Sequence, residues 1–333
     1  MARLGIGVSA VFVIGAGVAW PVAFIGAIFT NLMLQGPAPI PIRAGAMLLG
    51  RAAVAMVAVW YCAAVLLAYP LFFLVALTCS IYAIFRFSAL GGSMFLVVLL
   101  LISVLLIPSL LLTSPELAGT VALWLVINIA LAILASHVFF WLFPPEEGPI
   151  PAKPAKPEVS ESEASWRAAR MTLVTAPYAI LHFSFGWSAV LPLIFIAMLA
   201  MALSGAASAA MGRNLLVANV AGGIVAIMAY ELVVIAPNFL FMAALVLTIM
   251  LAGAKILVSG GPYAPYAGSA LNAIMVLFGG AMAPFGGDVD AEFLDRMLGI
   301  GFAVLYIAAA YRLVESGPVT DDARDVKATP VES

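Results

Sequence analysis

The chain has 333 residues, 65% of them hydrophobic and 9% charged, with a mean hydropathy of +1.18 and a formal net charge of −2. That composition excludes an ordinary water-soluble domain, and near-neutrality without a basic stripe excludes an electrostatic footing for nucleic acid. The two cysteines, Cys62 and Cys79, sit inside apolar runs rather than in loops, so neither a disulfide framework nor a CxxC metal or redox site is expected.

A spanning helix needs ~20 mostly apolar residues to cross ~30 Å of hydrocarbon, and apolar runs recur from Leu4 almost to Leu313. The first run follows Arg3 and ends at Gly17-Val18-Ala19, which has the form of a signal peptide. A similar segment, Arg170 to Gly186, lies mid-chain where a signal peptide does not stand, so both are read as retained helices. The pattern predicts helices over 4–19, 21–34, 44–67, 70–88, 91–112 and 117–143. After a Pro-rich, charged stretch, a matching set falls at 168–184, 188–203, 209–235, 238–258, 266–283 and 291–314.

The two sets are in register. Arg3 pairs with Arg170, Trp20 with Trp187 and Pro70 with Pro237, all at an offset of 167 residues. Glu116 pairs with Glu292 at an offset of 176, the drift that an insertion around Pro262-Tyr263-Ala264-Pro265-Tyr266 leaves. The expected organisation is therefore a first six-helix membrane repeat over 1–143, a cytoplasmic linker over 144–166, a second six-helix repeat over 167–315 and a disordered cytoplasmic tail over 316–333.

Charge decides whether the opening stretch of each half is one kinked helix or two short ones broken at Trp20-Pro21 and at Trp187. With a break in each half, thirteen of the fourteen Lys and Arg residues fall on one side and Arg296 alone on the other; with unbroken helices the split is six against eight. The positive-inside rule selects the break. The fold expected is all-α, with about twelve transmembrane helices in two parallel six-helix repeats and with both termini in the cytoplasm of a bacterial inner membrane.

The first two helices of each half are then short, and paired short or Pro-interrupted helices point to a transporter's substrate site, because their ends must line a cavity or be buried in protein. Near the inner end of the second helix, Thr30, Asn31 and Gln35 offer hydrogen-bonding groups, and Asn272, Asn128 and Asn219 lie inside apolar runs where an amide needs an interhelical partner or a wet path. Arg51 and Arg213 each follow a glycine at the start of a third helix, where they would focus an anion on a cytoplasmic mouth or anchor at headgroups. Candidate substrate-binding residues are thus Thr30, Asn31, Gln35, Arg51, Arg213 and Asn272. Glu231, the carboxylate most clearly within an apolar helix, is the candidate for proton coupling. His137 and His182 lie near opposite faces, too isolated for a metal site.

Asp288, Asp290, Glu292 and Asp295 read as a solvated outer loop that includes Arg296. Asp321-Asp322-Ala323-Arg324-Asp325 has the DDxxD spacing with which membrane prenyltransferases hold magnesium, but it falls in the tail with no second acidic motif, so no enzyme, metal or cofactor is expected.

The run from Arg3 through Trp20-Pro21, a short second helix, Gly50-Arg51 and Pro70, repeated from Arg170 through Trp187, Gly212-Arg213 and Pro237, resembles the fusaric-acid-resistance-like membrane proteins. That superfamily includes aromatic carboxylic acid exporters that work with a periplasmic adaptor of the membrane-fusion type, and a group of small two-repeat proteins that this chain looks most like. Larger members carry a sizeable cytoplasmic domain where this chain has only its linker and tail. The resemblance implies an efflux component for small amphipathic or aromatic organic acids, with membrane lipid, an organic anion and a periplasmic adaptor as partners and homo-oligomerisation open. The other class of function the sequence allows is a non-transporting scaffold that docks an adaptor or another protein.

Overall fold

Small residues at regular intervals in long apolar runs make helices that can approach one another closely, and helices are what the chain builds. The computed structural model describes residues 1–20, 22–144, 159–187, 190–201, 205–282 and 289–315. The Lys153 and Lys156 part of the linker, Asp288, and the tail with its DDxxD spacing lie outside the described residues. Among the described residues there are twelve α-helices and no strand: α1 (Ala2–Gly17), α2 (Ala23–Leu34), α3 (Ile42–Leu66), α4 (Pro70–Ala89), α5 (Met94–Thr113), α6 (Pro115–Leu142), α7 (Glu161–Ser184), α8 (Val190–Ala200), α9 (Gly205–Ile235), α10 (Phe239–Val258), α11 (Ala264–Ala281) and α12 (Val289–Glu315).

Eight of these, α3 to α6 and α9 to α12, contain stretches long and apolar enough to cross a bilayer, which makes the chain an all-α protein of polytopic membrane type. α1, α2 and α8 are apolar but short, at 16, 12 and 11 residues. α7 has 24 residues and opens inside what reads as linker. Its start is set by a local signal: the Ser160 side chain accepts from Glu163 N–H at 3.2 Å, so the cap, and not the first apolar residue, begins the helix.

The chain does reverse after α1. Gly15 abuts Ala23 beside the turn while Gly7 abuts Leu34 at the far end, contacts that one continuous rod could not make. The turn is tight, with Ala19 and Val22 both in the left-handed region at φ 52° and 51°, a conformation that costs a β-branched valine and that the packing on either side must hold. In the second set, α7 and α8 also oppose each other: Tyr178 of α7 stacks near Phe302 and Val174 accepts from Tyr306, an antiparallel order, whereas Gly299 abuts Pro192 and Tyr311 bonds Ala200, a parallel one.

Contacts between the first six and the last six helices run through four pairs: α1 on α10, α2 on α11, α4 on α7 and α5 on α8. In the α1–α10 seam Gly5 abuts Leu251 and Gly17 abuts Phe239, an antiparallel crossing made possible by the missing side chains. In the α4–α7 seam the Phe73 and Phe183 rings meet at 5.1 Å at one end, and Arg86 bonds Ser165 and Glu161 at the other. Buried apolar side chains divide accordingly: Val8, Phe12, Leu34, Met250, Met275 and Phe278 fill the space among α1, α2, α10 and α11, and a larger cluster fills α3 to α8 and α12.

Traced through these contacts and the short turns, successive helices alternate in direction. Arg3, Arg43, Arg51, Arg86, Arg167, Arg170, Arg213, Lys255 and Arg312 collect toward the end of the bundle that holds residue 1, and Arg296 lies toward the other.

Candidate functional site

α2 is the most enclosed short element. Ala23, Gly26, Ala27, Phe29, Thr30, Asn31, Met33 and Leu34 are all buried in a helix of 12 residues, because α1, α6 and α11 surround it. Small residues at Gly26 and Ala27 let those neighbours close in, and the Thr30 hydroxyl returns its hydrogen bond to Gly26 O at 2.7 Å, so it needs no outside partner.

Asn31, one residue on, faces α11. Its Nδ2 donates to Asn272 Oδ1 at 2.8 Å and reaches Gly268 O at 3.4 Å, joining residues 241 positions apart. Gly268 leaves room for the Gln35 amide, whose Oε1 sits 2.9 Å from where a Cβ would stand. Of the residues expected to bind substrate, the structure thus brings Asn31, Gln35 and Asn272 together, with Thr30 the residue before Asn31 on the same helix. Asn31 Oδ1 is buried with no hydrogen-bond partner. Leaving such an acceptor unmet costs about 1–3 kcal/mol, so a donor brought to it is stabilised there.

A second unmet amide oxygen flanks the same helix. Asn128 of α6 donates from Nδ2 to Trp124 O at 2.8 Å, and its Oδ1 lies 2.6 Å from where a Cβ on Gly26 would stand, without a partner. Trp124 packs edge-on against Trp20 at 5.1 Å, closing the α1–α2 turn over this side.

Arg51 and Arg213 are not part of this cluster; both lie exposed, on α3 and α9, in positions that suit headgroup anchoring. Glu231 is also exposed, one turn from the end of α9, and faces neither Asn31 nor Asn272. His137 closes on its own helix, with Nδ1 2.8 Å from Ile133 O.

Two polar arrangements went unread in the sequence. His182 is fully buried on α7, with Nε2 3.2 Å from Ser109 Oγ of α5. Ser109 commits its own proton to Leu105 O at 2.8 Å, so the ring nitrogen donates to it, and Nδ1 is left unpartnered. Arg296 does not share the exposure of Asp290 and Asp295 on the same helix: its Nε donates to Asn219 Oδ1 and its guanidinium lies over the Phe195 ring. Neither contact has a sequence signature, because both join helices far apart in the chain.

Four cavities, of about 180, 320, 410 and 540 Å³, are grooves that α3 shares with α4, α5 or α6, the first three lined chiefly by small and aliphatic side chains and the fourth by Trp60, Pro115, Glu116 and Thr120. None of them touches Asn31 or Asn272. No family model, curated protein or solved structure matches the chain.

Proposed function

We propose that the chain is a component of an efflux system for small amphipathic or aromatic organic acids in a bacterial inner membrane, working with a periplasmic adaptor. The observation that carries this reading is the enclosed α2, whose Asn31 bonds Asn272 of α11 and still offers an unmet acceptor where the first and last six helices meet. Paired short helices that depend on their neighbours for shelter are the transporter pattern, and α8 is the counterpart of α2 in length and chain position. The four seams also exchange in matched fashion: α1 on α10 mirrors α7 on α4, and α2 on α11 mirrors α8 on α5, which supports two parallel repeats about an axis along the membrane normal. On this reading there are twelve crossings, and the cation-rich end, with both termini, faces the cytoplasm.

The sidedness has a direct check. With Cys62 and Cys79 replaced by alanine, single cysteines at Val18 and Gly36 should react with an impermeant maleimide from opposite sides, Val18 from the periplasm. Labelling of both from one side would remove the twelve-crossing arrangement.

For the activity, proteoliposomes loaded with benzoate should release it faster than protein-free vesicles when a pH gradient is applied. Equal rates would overturn the exporter reading. Glu231→Gln tests the proton role separately: loss of the gradient dependence upholds it, and unchanged flux removes it.

One observation favours a second reading, a scaffold that docks another protein without transporting anything. Apolar grooves run along α3, away from the Asn31–Asn272 contact. A scaffold would retain its adaptor in pull-downs from crosslinked membranes while showing no benzoate flux.

A further inference from the structure

Arg296 is a cation whose contacts among the described side chains are with neutral groups. It lies seven residues into α12, half-buried, with Nε donating to Asn219 Oδ1 of α9 at 2.5 Å and with the guanidinium carbon 5.4 Å from the centroid of the Phe195 ring of α8. An amide oxygen and a phenyl face are both neutral. Neither of these two partners, Asn219 and Phe195, is a carboxylate. Asp290 and Asp295, on the same helix, are exposed.

The arrangement is held in place. Asn219 is buried and gives its Nδ2 to Leu215 O at 2.8 Å, which fixes the amide with its oxygen toward the arginine. The arginine is not stretched along its own helix toward the rim either. Gly223 abuts Phe293 and Gly212 abuts Val304, so α9 and α12 run antiparallel with residue 296 level with about residue 220. The side chain therefore reaches across to its neighbour, which is not the geometry of a cation snorkelling to water.

Nε accounts for one of the five guanidinium N–H donors, and the four on the two terminal nitrogens form a planar fork that matches an oxyanion. A cation within a membrane-spanning helix with no counter-charge costs several kcal/mol, a cost that a bound anion removes. The other nine described cations lie toward the opposite end of the bundle, so an anion at this end meets Arg296 alone.

We infer that Arg296, oriented by Asn219 and backed by Phe195, is a binding site for one oxyanion, entering between α8, α9 and α12 from the cation-poor end. Its occupant is either the carboxylate of an amphipathic acid or the phosphate of a lipid headgroup. The carboxylate source rests on the exporter reading, whereas the anion site itself does not.

The test uses full-length protein, delipidated in detergent and titrated with benzoate and, in parallel, with inorganic phosphate, followed by calorimetry and melting temperature. Native mass spectrometry of the undelipidated protein reports any retained phospholipid. Benzoate should bind saturably and raise the melting temperature, with affinity roughly tenfold or more lower in Arg296→Gln and intermediate in Arg296→Lys, which keeps the charge and loses the fork. Asn219→Ala should weaken binding less than Arg296→Gln does. Phospholipid retained by the wild type and lost from Arg296→Gln, with benzoate binding only after delipidation, would support the site with lipid as its occupant. Equal benzoate binding and equal lipid retention in wild type and Arg296→Gln would overturn it; if that variant does not fold, Arg296→Lys indistinguishable from wild type does the same. Intact binding without vesicle flux would sink the exporter reading and leave the site standing.

Discussion

Gly222→Val should abolish the recovery of monodisperse protein, or lower its stability by about 3 kcal/mol or more, the upper range for forcing atoms into a packed interior. A Cβ at this position of α9 would stand 2.6 Å from Ala270 O and 2.9 Å from Ala273 Cβ. The first of these is backbone, which cannot rotate away, so α9 and α11 would have to part. That movement would spread, because α11 also carries Gly268 and Asn272 against α2 and Leu271 against Gly253 of α10. Gly50→Ala is the control: nothing lies within 4 Å of a Cβ there, and within a helix alanine should match or exceed glycine by roughly 0.5–1 kcal/mol. Fluorescence-detected size exclusion with a thermal ramp separates the two. Equal melting temperatures for Gly222→Val and Gly50→Ala would mean that the α9–α11 contact is not the close one described.

Asn31→Leu and Asn272→Leu should each cut benzoate flux at least tenfold if the exporter reading holds, and should differ from each other in stability. Asn272 is only partly buried, so its loss leaves Asn31 as the fully enclosed amide with both oxygen and nitrogen poorly met. Asn31→Leu instead removes the enclosed polar group itself. The more destabilising change is therefore expected at Asn272, and the double variant should recover part of the loss. A membrane-buried pair of this kind couples by ~0.6 kcal/mol on average and up to ~1.7, and a double-mutant cycle of melting free energies would read it. Additive losses would show that the 2.8 Å contact is not sustained. Wild-type flux in either single variant would move the substrate path away from α2.

Much of the architecture was readable because membrane helices announce themselves by composition, and because the break after Trp20 follows from where the cations must gather. The turn itself bears this out: a one-dimensional count of lysines and arginines implied that α1 and α2 fold back, and Gly7 against Leu34 shows that they do. The start of α7 was readable too, from Ser160 and Glu163 three residues apart, yet the surrounding prolines and charges drew that stretch into the linker. Partner identity was beyond reach. Nothing local to Asn31 says that its amide meets Asn272, nor that Arg296, surrounded in sequence by acids, turns to an asparagine 77 residues earlier. Those choices are made by how helices cross, and apolar periodicity in lipid gives little information on crossings, since every face of such a helix is greasy.

The seam between α2 and α11 has a consequence for how the protein is born. Asn31 emerges from the ribosome 241 residues ahead of the amide that will hold it, which at 5–20 residues per second is a wait of roughly 12–48 s. Through that interval a two-helix hairpin too short to sit comfortably in lipid carries bare hydrogen-bonding groups. Biogenesis therefore calls for a temporary host, an insertase or chaperone that shelters the nascent hairpin until the closing helices arrive.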